Sequence, residues 1–155
     1  MAATRVVVLG GTGFVGRALT ARLASEGANL LVPTRSRDRA RPLILLPTVE
    51  AVEADMHDAA TLARLLHGAD AVVNLVGILN ESGRDTFERA HVELARKVVD
   101  ACRKSGVGRL LHMSALNADP AGPSKYLASK GEAENIVAAS PLAWTIFRPS
   151  VIFGE

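Results

Sequence analysis

A doubly wound, parallel α/β sheet is the fold class this sequence predicts, and three observations predict it. Short apolar runs alternate with longer amphipathic ones along the whole chain. Hydrophobic residues make up 48% of the 155 positions but aromatics only 4%, so the core is aliphatic, as suits strands buried on both faces. The first apolar run flows directly into a glycine-rich turn that opens a helix. The length fits one domain with a substantial core, taken as residues 1–155.

Six runs read as strands: RVVVLG (5–10), NLLVPT (29–34), VEAVEA (49–54), DAVVNLVG (70–77), RLLHMS (109–114) and AWTIFRP (143–149). Helical periodicity lies between them. Residues 14–26 place Phe14, Val15, Ala18, Leu19 and Leu23 on one side. Residues 59–67 form a short helix closed by Gly68. Residues 86–105 form a long one, with Ala90, Leu94, Val98 and Ala101 inward and Gly106 as its stop. The last helix spans about 124–139 and ends before Pro141. Residues 36–48 read as a connection with at most a short helical turn. Two mononucleotide-type halves in this order predict strand order 3-2-1-4-5-6. The chain stops after the sixth strand with no closing helix. The expectation is a truncated fold whose uncovered edge or face favours self-association as a homodimer.

Composition excludes several classes. A net charge of +2, with no basic stripe and few aromatics, argues against nucleic acid. One cysteine, Cys102, leaves no disulfide framework or metal cluster, and its place on an apolar helix face reads as buried filler. No metal site is expected. No run is long enough to span a membrane, and the glycine-broken VVVLGGTGFVG is unlike a signal peptide, so a cytoplasmic protein is expected.

VVVLGGTGFVG places Gly10, Gly13 and Gly16 at three-residue spacing between a strand and a helix. GxGxxG alone is weak; in this context it reads as a dinucleotide cradle. Glycines let a pyrophosphate approach the main chain, and the helix amino terminus offers N–H groups to it. The plain alternative is an ordinary strand–helix turn. At the end of the second strand an NAD site carries an acid, whereas here Arg35 stands in VPTRSRDRAR. A guanidinium grips a 2′-phosphate, so NADP is expected over NAD, while Arg37, Arg39 and Arg41 read as a solvated loop. Asp55, with Met56 beside it, is placed to accept from an adenine amino group; Asp58 suits helix capping better. Asn74 to Gly77 end the fourth strand at the switch point where ligands bind, though Asn74 also suits stitching strands together.

Ser114 ends the fifth strand at the same rim, and Tyr126 and Lys130 lie one helical turn apart shortly after. A phenol, an ammonium and a hydroxyl together suit carbonyl reduction, with Tyr126 as acid/base and Ser114 on the carbonyl. Lys130 is expected to lower the Tyr126 pKa and to hold the nicotinamide ribose. The plain alternative is a surface helix that happens to carry a Tyr and a Lys. The order of the pieces favours the site: glycine loop, switch point, strand-end serine, then YxxxK.

GGTGFVG, VVNLVGIL, HMSALNAD, KYLASKGEAE and RPSVIFG together resemble the extended, atypical branch of the short-chain dehydrogenase/reductase superfamily. They look most like the bacterial relatives of the nucleotide-binding accessory subunit of respiratory complex I. The resemblance covers essentially the whole chain. It implies a Rossmann fold, phosphate contacts from Thr12 to Val15, an NADP-type contact at Arg35 and an adenine site at Asp55 and Met56. It also implies nicotinamide contacts near Val76, Gly77, Tyr126, Lys130, Pro149 and Ser150. The substrate expected is an unidentified small molecule, a carbonyl or alcohol or a quinone-related compound. The resemblance leaves open a second function, that of a non-catalytic NADP(H)-binding subunit. Two departures stand out: His91 falls where many members carry an asparagine, and the family's seventh strand and substrate lobe are absent. The chain by itself is therefore expected to hold cofactor weakly and to turn nothing over.

Overall fold

The computed structural model describes residues 2–154. Its elements follow in the order β1 (Arg5–Leu9), α1 (Phe14–Ser25), β2 (Asn29–Thr34), α2 (Arg37–Ala40), β3 (Val49–Glu53), α3 (Ala59–Leu66) and β4 (Ala71–Asn74). A π-helical turn, Glu88–Glu93, then runs straight into α4 (Leu94–Ser105), followed by β5 (Arg109–Met113), α5 (Lys125–Ala138) and β6 (Ala143–Phe147). The sheet is parallel, in the order β3-β2-β1-β4-β5-β6. This is the predicted strand order.

The two-residue period of β1 divides the core. Val7 and Leu9 face Leu62, Leu66, Leu94, Val98 and Val137 of α3, α4 and α5. Val6 and Val8 face the opposite layer, with Leu19 and Leu23 of α1 and Leu43 of the connection after α2. Leu62 and Leu66 are fully buried, each contributing about 1.5–3 kcal/mol of transfer free energy. Cys102 is also fully buried, and burial pushes its thiol up to about 12, which removes it as a nucleophile.

Helix ends follow their chemistry. Asp58 caps α3 through Thr61 N–H at 2.9 Å, and Ser124 caps α5 through Leu127 N–H at 3.1 Å. Gly106 closes α4 in the left-handed conformation, φ 73°.

Three expectations, on α1, the fourth strand and the 86–105 helix, need correction. The buried face of α1 is Gly16, Leu19, Thr20 and Leu23, while Phe14 and Ala18 lie exposed. Close packing at Gly16 rotates the helix, so its glycine, not its first aromatic, faces the sheet. The fourth strand is shorter than 70–77: after Asn74 only Leu75 N–H still bonds back, to Leu9 O at 2.9 Å. The long helix of 86–105 is interrupted at its start by the π-helical turn. The four-residue helix α2 is the short helical turn expected within the 36–48 connection.

Candidate dinucleotide and carbonyl site

A groove runs over the carboxyl ends of β1, β2, β4 and β5, where strand order reverses between β1 and β4. One half, about 340 Å³, is lined by Thr12, Arg35, Asp55, Met56 and Val76. The other, about 720 Å³, is lined by Phe14, Val15, Gly16, Ser114, Tyr126, Lys130, Pro149 and Ser150. Gly10, Gly13 and Gly77 line both halves. Every candidate catalytic and cofactor-contact residue from Gly10 to Ser150 thus lines one half of the groove or the other, while Asn74 and His91 lie buried behind it.

The glycine loop is a cradle that side chains would fill. Gly10 has φ +79°, and a Cβ there would lie 3.0 Å from Leu75 C and Val76 N. A Cβ on Gly16 would fall 2.2 Å from Gly10 O, so α1 rests directly on the loop. Gly13 stands at the N-cap, and no side chain caps the first turn. The unfilled first-turn N–H groups fit a pyrophosphate.

Ser114 is 4% exposed, and among the described residues its Oγ has no hydrogen-bond partner. A buried hydroxyl left open at a groove wall fits a ligand oxygen. Lys130 is 4% exposed and its Nζ donates to Met113 O at 2.8 Å. Burial pulls its pKa down to about 8, against the opposing pull of Glu134. Tyr126 departs from expectation. Burial pushes the phenol up, and Lys130, whose ammonium is tied to Met113 O, does not offset it.

Arg35 reaches across the groove, its Nη1 donating to both carboxylate oxygens of Asp85 at 3.0 and 3.1 Å. Sequence reasoning missed Asp85, which lies in a polar loop with no periodic signal. Asp55 turns its Oδ1 back to His57 N–H at 2.9 Å, and Asp58 takes the capping role. Asn74 is buried and stitches: Oδ1 accepts from Val76 N–H at 3.2 Å, and Nδ2 donates to His112 Nδ1 at 3.4 Å.

His91 is 2% exposed, and burial, then the charges of Lys130 and His112, pull its pKa down to about 3. Its Nε2 accepts from Ile78 N–H at 3.1 Å, which fixes the proton on Nδ1. The ring stacks on Phe87, centroids 5.6 Å apart, and meets Tyr126 edge-on at 5.6 Å. Phe87 also meets Tyr126 edge-on at 5.9 Å, so two rings hold the phenol.

Fold and groove define a dinucleotide-binding domain of the extended dehydrogenase/epimerase type. The chain belongs to the NAD(P)H-binding family, whose model matches residues 10–154. It is 32% identical over 150 residues to the mitochondrial 40 kDa subunit of NADH-ubiquinone oxidoreductase from Neurospora crassa, covering 95% of this chain and 40% of that protein. It is 34% identical over 149 residues to the ceramide reductase of Caulobacter vibrioides, covering 96% and 46%. A solved Bacillus halodurans protein classed with NAD-dependent epimerases/dehydratases superposes with TM-score 0.86 at 26% identity, covering 99% of this chain and 73% of that one. The chain spans less than half the length of the two sequence relatives. No helix among the described residues is long and apolar enough to cross a membrane.

Proposed function

We propose that this NAD(P)-binding, reductase-like domain belongs to an NADP(H)-dependent oxidoreductase acting on a carbonyl or alcohol substrate. The observation that carries the reading is the unpartnered Ser114 hydroxyl, sharing one groove wall with Tyr126 and Lys130 beside the glycine cradle. The nicotinamide supplies or accepts the hydride. Ser114 Oγ donates to the substrate carbonyl and orients it. Tyr126 passes the phenolic proton to the developing alkoxide, or removes it in reverse. Lys130, held by Met113 O, presents positive charge to the ribose. The apolar rim of Leu79, Leu116, Val151 and Ile152 suits a substrate with an apolar body, and a relative named ceramide reductase is consistent with that class.

NADP is preferred because Arg35, and no acid, follows β2. Arg35→Ala is expected to weaken NADPH at least tenfold and leave NADH unchanged. Equal affinity for the two cofactors sinks the preference. The cytoplasmic setting stays a proposal, checked by fractionation. So does a homodimer, which light scattering would test: Trp144 and Phe147 on edge strand β6 are 40% and 46% exposed.

A second reading is favoured by the raised Tyr126 pKa and by the likeness to complex I subunits: a domain that holds NADP(H) without turning it over. A carbonyl panel with NADPH separates the two. Cofactor oxidation that is lost in Tyr126→Phe, with NADPH affinity kept, supports the enzyme. Tight NADPH that no substrate oxidises supports the binder.

A further inference from the structure

The Arg35–Asp85 pair joins residues 50 positions apart, one just after β2, the other in the loop between β4 and the π-helical turn. It therefore spans the groove from one side of the switch point to the other, and both residues line its 340 Å³ half. The loop is built to present Asp85. Ser82 and Asp85 exchange backbone hydrogen bonds of 3.0 and 2.9 Å, Gly83 turns between them at φ +57°, and Glu81 Oε1 accepts from Phe87 N–H at 2.9 Å. Only Nη1 of Arg35 is engaged; among the described residues its Nε and Nη2 have no acceptor. Arg39, Arg84 and Arg89 line the same half, and none makes an ion pair among the described residues. Four arginines thus line this half of the groove against the carboxylates of Asp55 and Asp85, and the chain's own Asp85 is the anion Arg35 holds.

We propose that Asp85 is a specificity-determining residue: an internal carboxylate that competes with the 2′-phosphate of NADP for Arg35. The inference rests on the NADP reading. The pair is exposed, with 59% and 43% of its side-chain surfaces open, so it is a weak tie that a dianionic phosphate can replace. A partner of this strength leaves Arg35 free roughly one-fifth to one-half of the time, and apparent affinity falls to that fraction of its intrinsic value. The displaced carboxylate would then lie near the phosphate and repel it, adding to the penalty. NAD, lacking the phosphate, is indifferent to the tie. Asp85 therefore narrows the preference for NADP that Arg35 creates.

Calorimetric titration of the protein with 2′,5′-ADP and with 5′-ADP tests this. Asp85→Asn keeps the backbone bonds to Ser82 and removes only the charge. It is expected to tighten 2′,5′-ADP about three- to tenfold, less at high salt, and to leave 5′-ADP within twofold. The gain should vanish in the Arg35→Ala/Asp85→Asn double variant. Unchanged 2′,5′-ADP affinity in Asp85→Asn, with Arg35→Ala still weakening it, overturns the competition and leaves the NADP reading intact. Weaker 5′-ADP binding in Asp85→Asn overturns it in favour of a ribose-binding role. If Arg35→Ala changes nothing, the NADP reading itself falls.

Discussion

His91 Nδ1 lies 2.8 Å from Ser129 Oγ, and Ser129 Oγ lies 2.9 Å from Tyr126 O. With Nε2 accepting from Ile78 N–H, the polarity is fixed: His91 donates to Ser129, and Ser129 donates to the Tyr126 carbonyl. The loop after β4, the π-helical turn and the helix bearing Tyr126 are joined through one neutral imidazole. His91→Phe keeps a ring against Phe87 and Tyr126 but orphans Ile78 N–H. It should cost about 1–3 kcal/mol, a Tm drop of roughly 2–12 °C by thermal unfolding. A Tm within a degree of wild type would show that the imidazole contributes only its shape.

Buried neutral histidines also give the fold an acid limit. Burial and Lys130 hold His112 down at about 4, and His91 lies at about 3. Unfolded, both return to about 6.5. Between these values the unfolded chain binds more protons, so stability is full above pH 6.5 and falls as pH drops toward 4. Each histidine adds up to about 1.4 kcal/mol per pH unit. Lys130 behaves differently: folded it sits at about 8, below its ordinary 10.5, so stability rises with pH between those values. Urea unfolding from pH 7 to 5 checks the acid side. His91→Phe should show a shallower slope than wild type, and an identical slope would contradict the assignment.

How far the site was legible depends on the kind of signal. Backbone chemistry reads well: Gly10 declares a turn at positive φ, Gly13 an N-cap, and Gly16 a contact so close that a Cβ would meet backbone at 2.2 Å. Hydrophobic period reads well too, which is why six strands and their order follow from pattern. Long-range pairing of polar groups does not. Nothing local to Asp85 says that it meets Arg35 fifty residues earlier. The α1 face was misread because Phe14 and Val15 are apolar for the groove, not for the core. The Tyr126 environment depends on where the Lys130 ammonium hydrogen-bonds, and helical spacing carries no information about Met113 O.

Gly16 gives the sharpest structural test. A methyl there would sit 2.2 Å from Gly10 O, 2.6 Å from Gly11 Cα and 2.7 Å from Gly11 C, all backbone atoms that cannot swing aside. Gly16→Ala must push α1 off the loop. The expected cost is about 1–3 kcal/mol or more, read as a lower urea midpoint. NADPH binding should fall further than stability, because the displaced atoms are those that form the cradle. Wild-type NADPH affinity in a folded Gly16→Ala protein would refute the close-contact role.

Glu134 controls Lys130 from one turn further along α5. It is 5% exposed and accepts from Arg148 Nε at 2.9 and 3.1 Å, with a further contact from Arg148 Nη2. Its carboxylate raises the Lys130 pKa, opposing burial, which alone would drive the ammonium lower than about 8. Glu134→Gln removes that charge and keeps the shape and one acceptor for Arg148. Lys130 should then lose its proton at lower pH. If the charged Lys130 serves the cofactor, NADPH affinity should fall off at lower pH in the variant than in wild type. The shift belongs to Lys130 only if it disappears in a Lys130→Met background. A pH profile that moves equally with and without Lys130 would refute the assignment to Lys130.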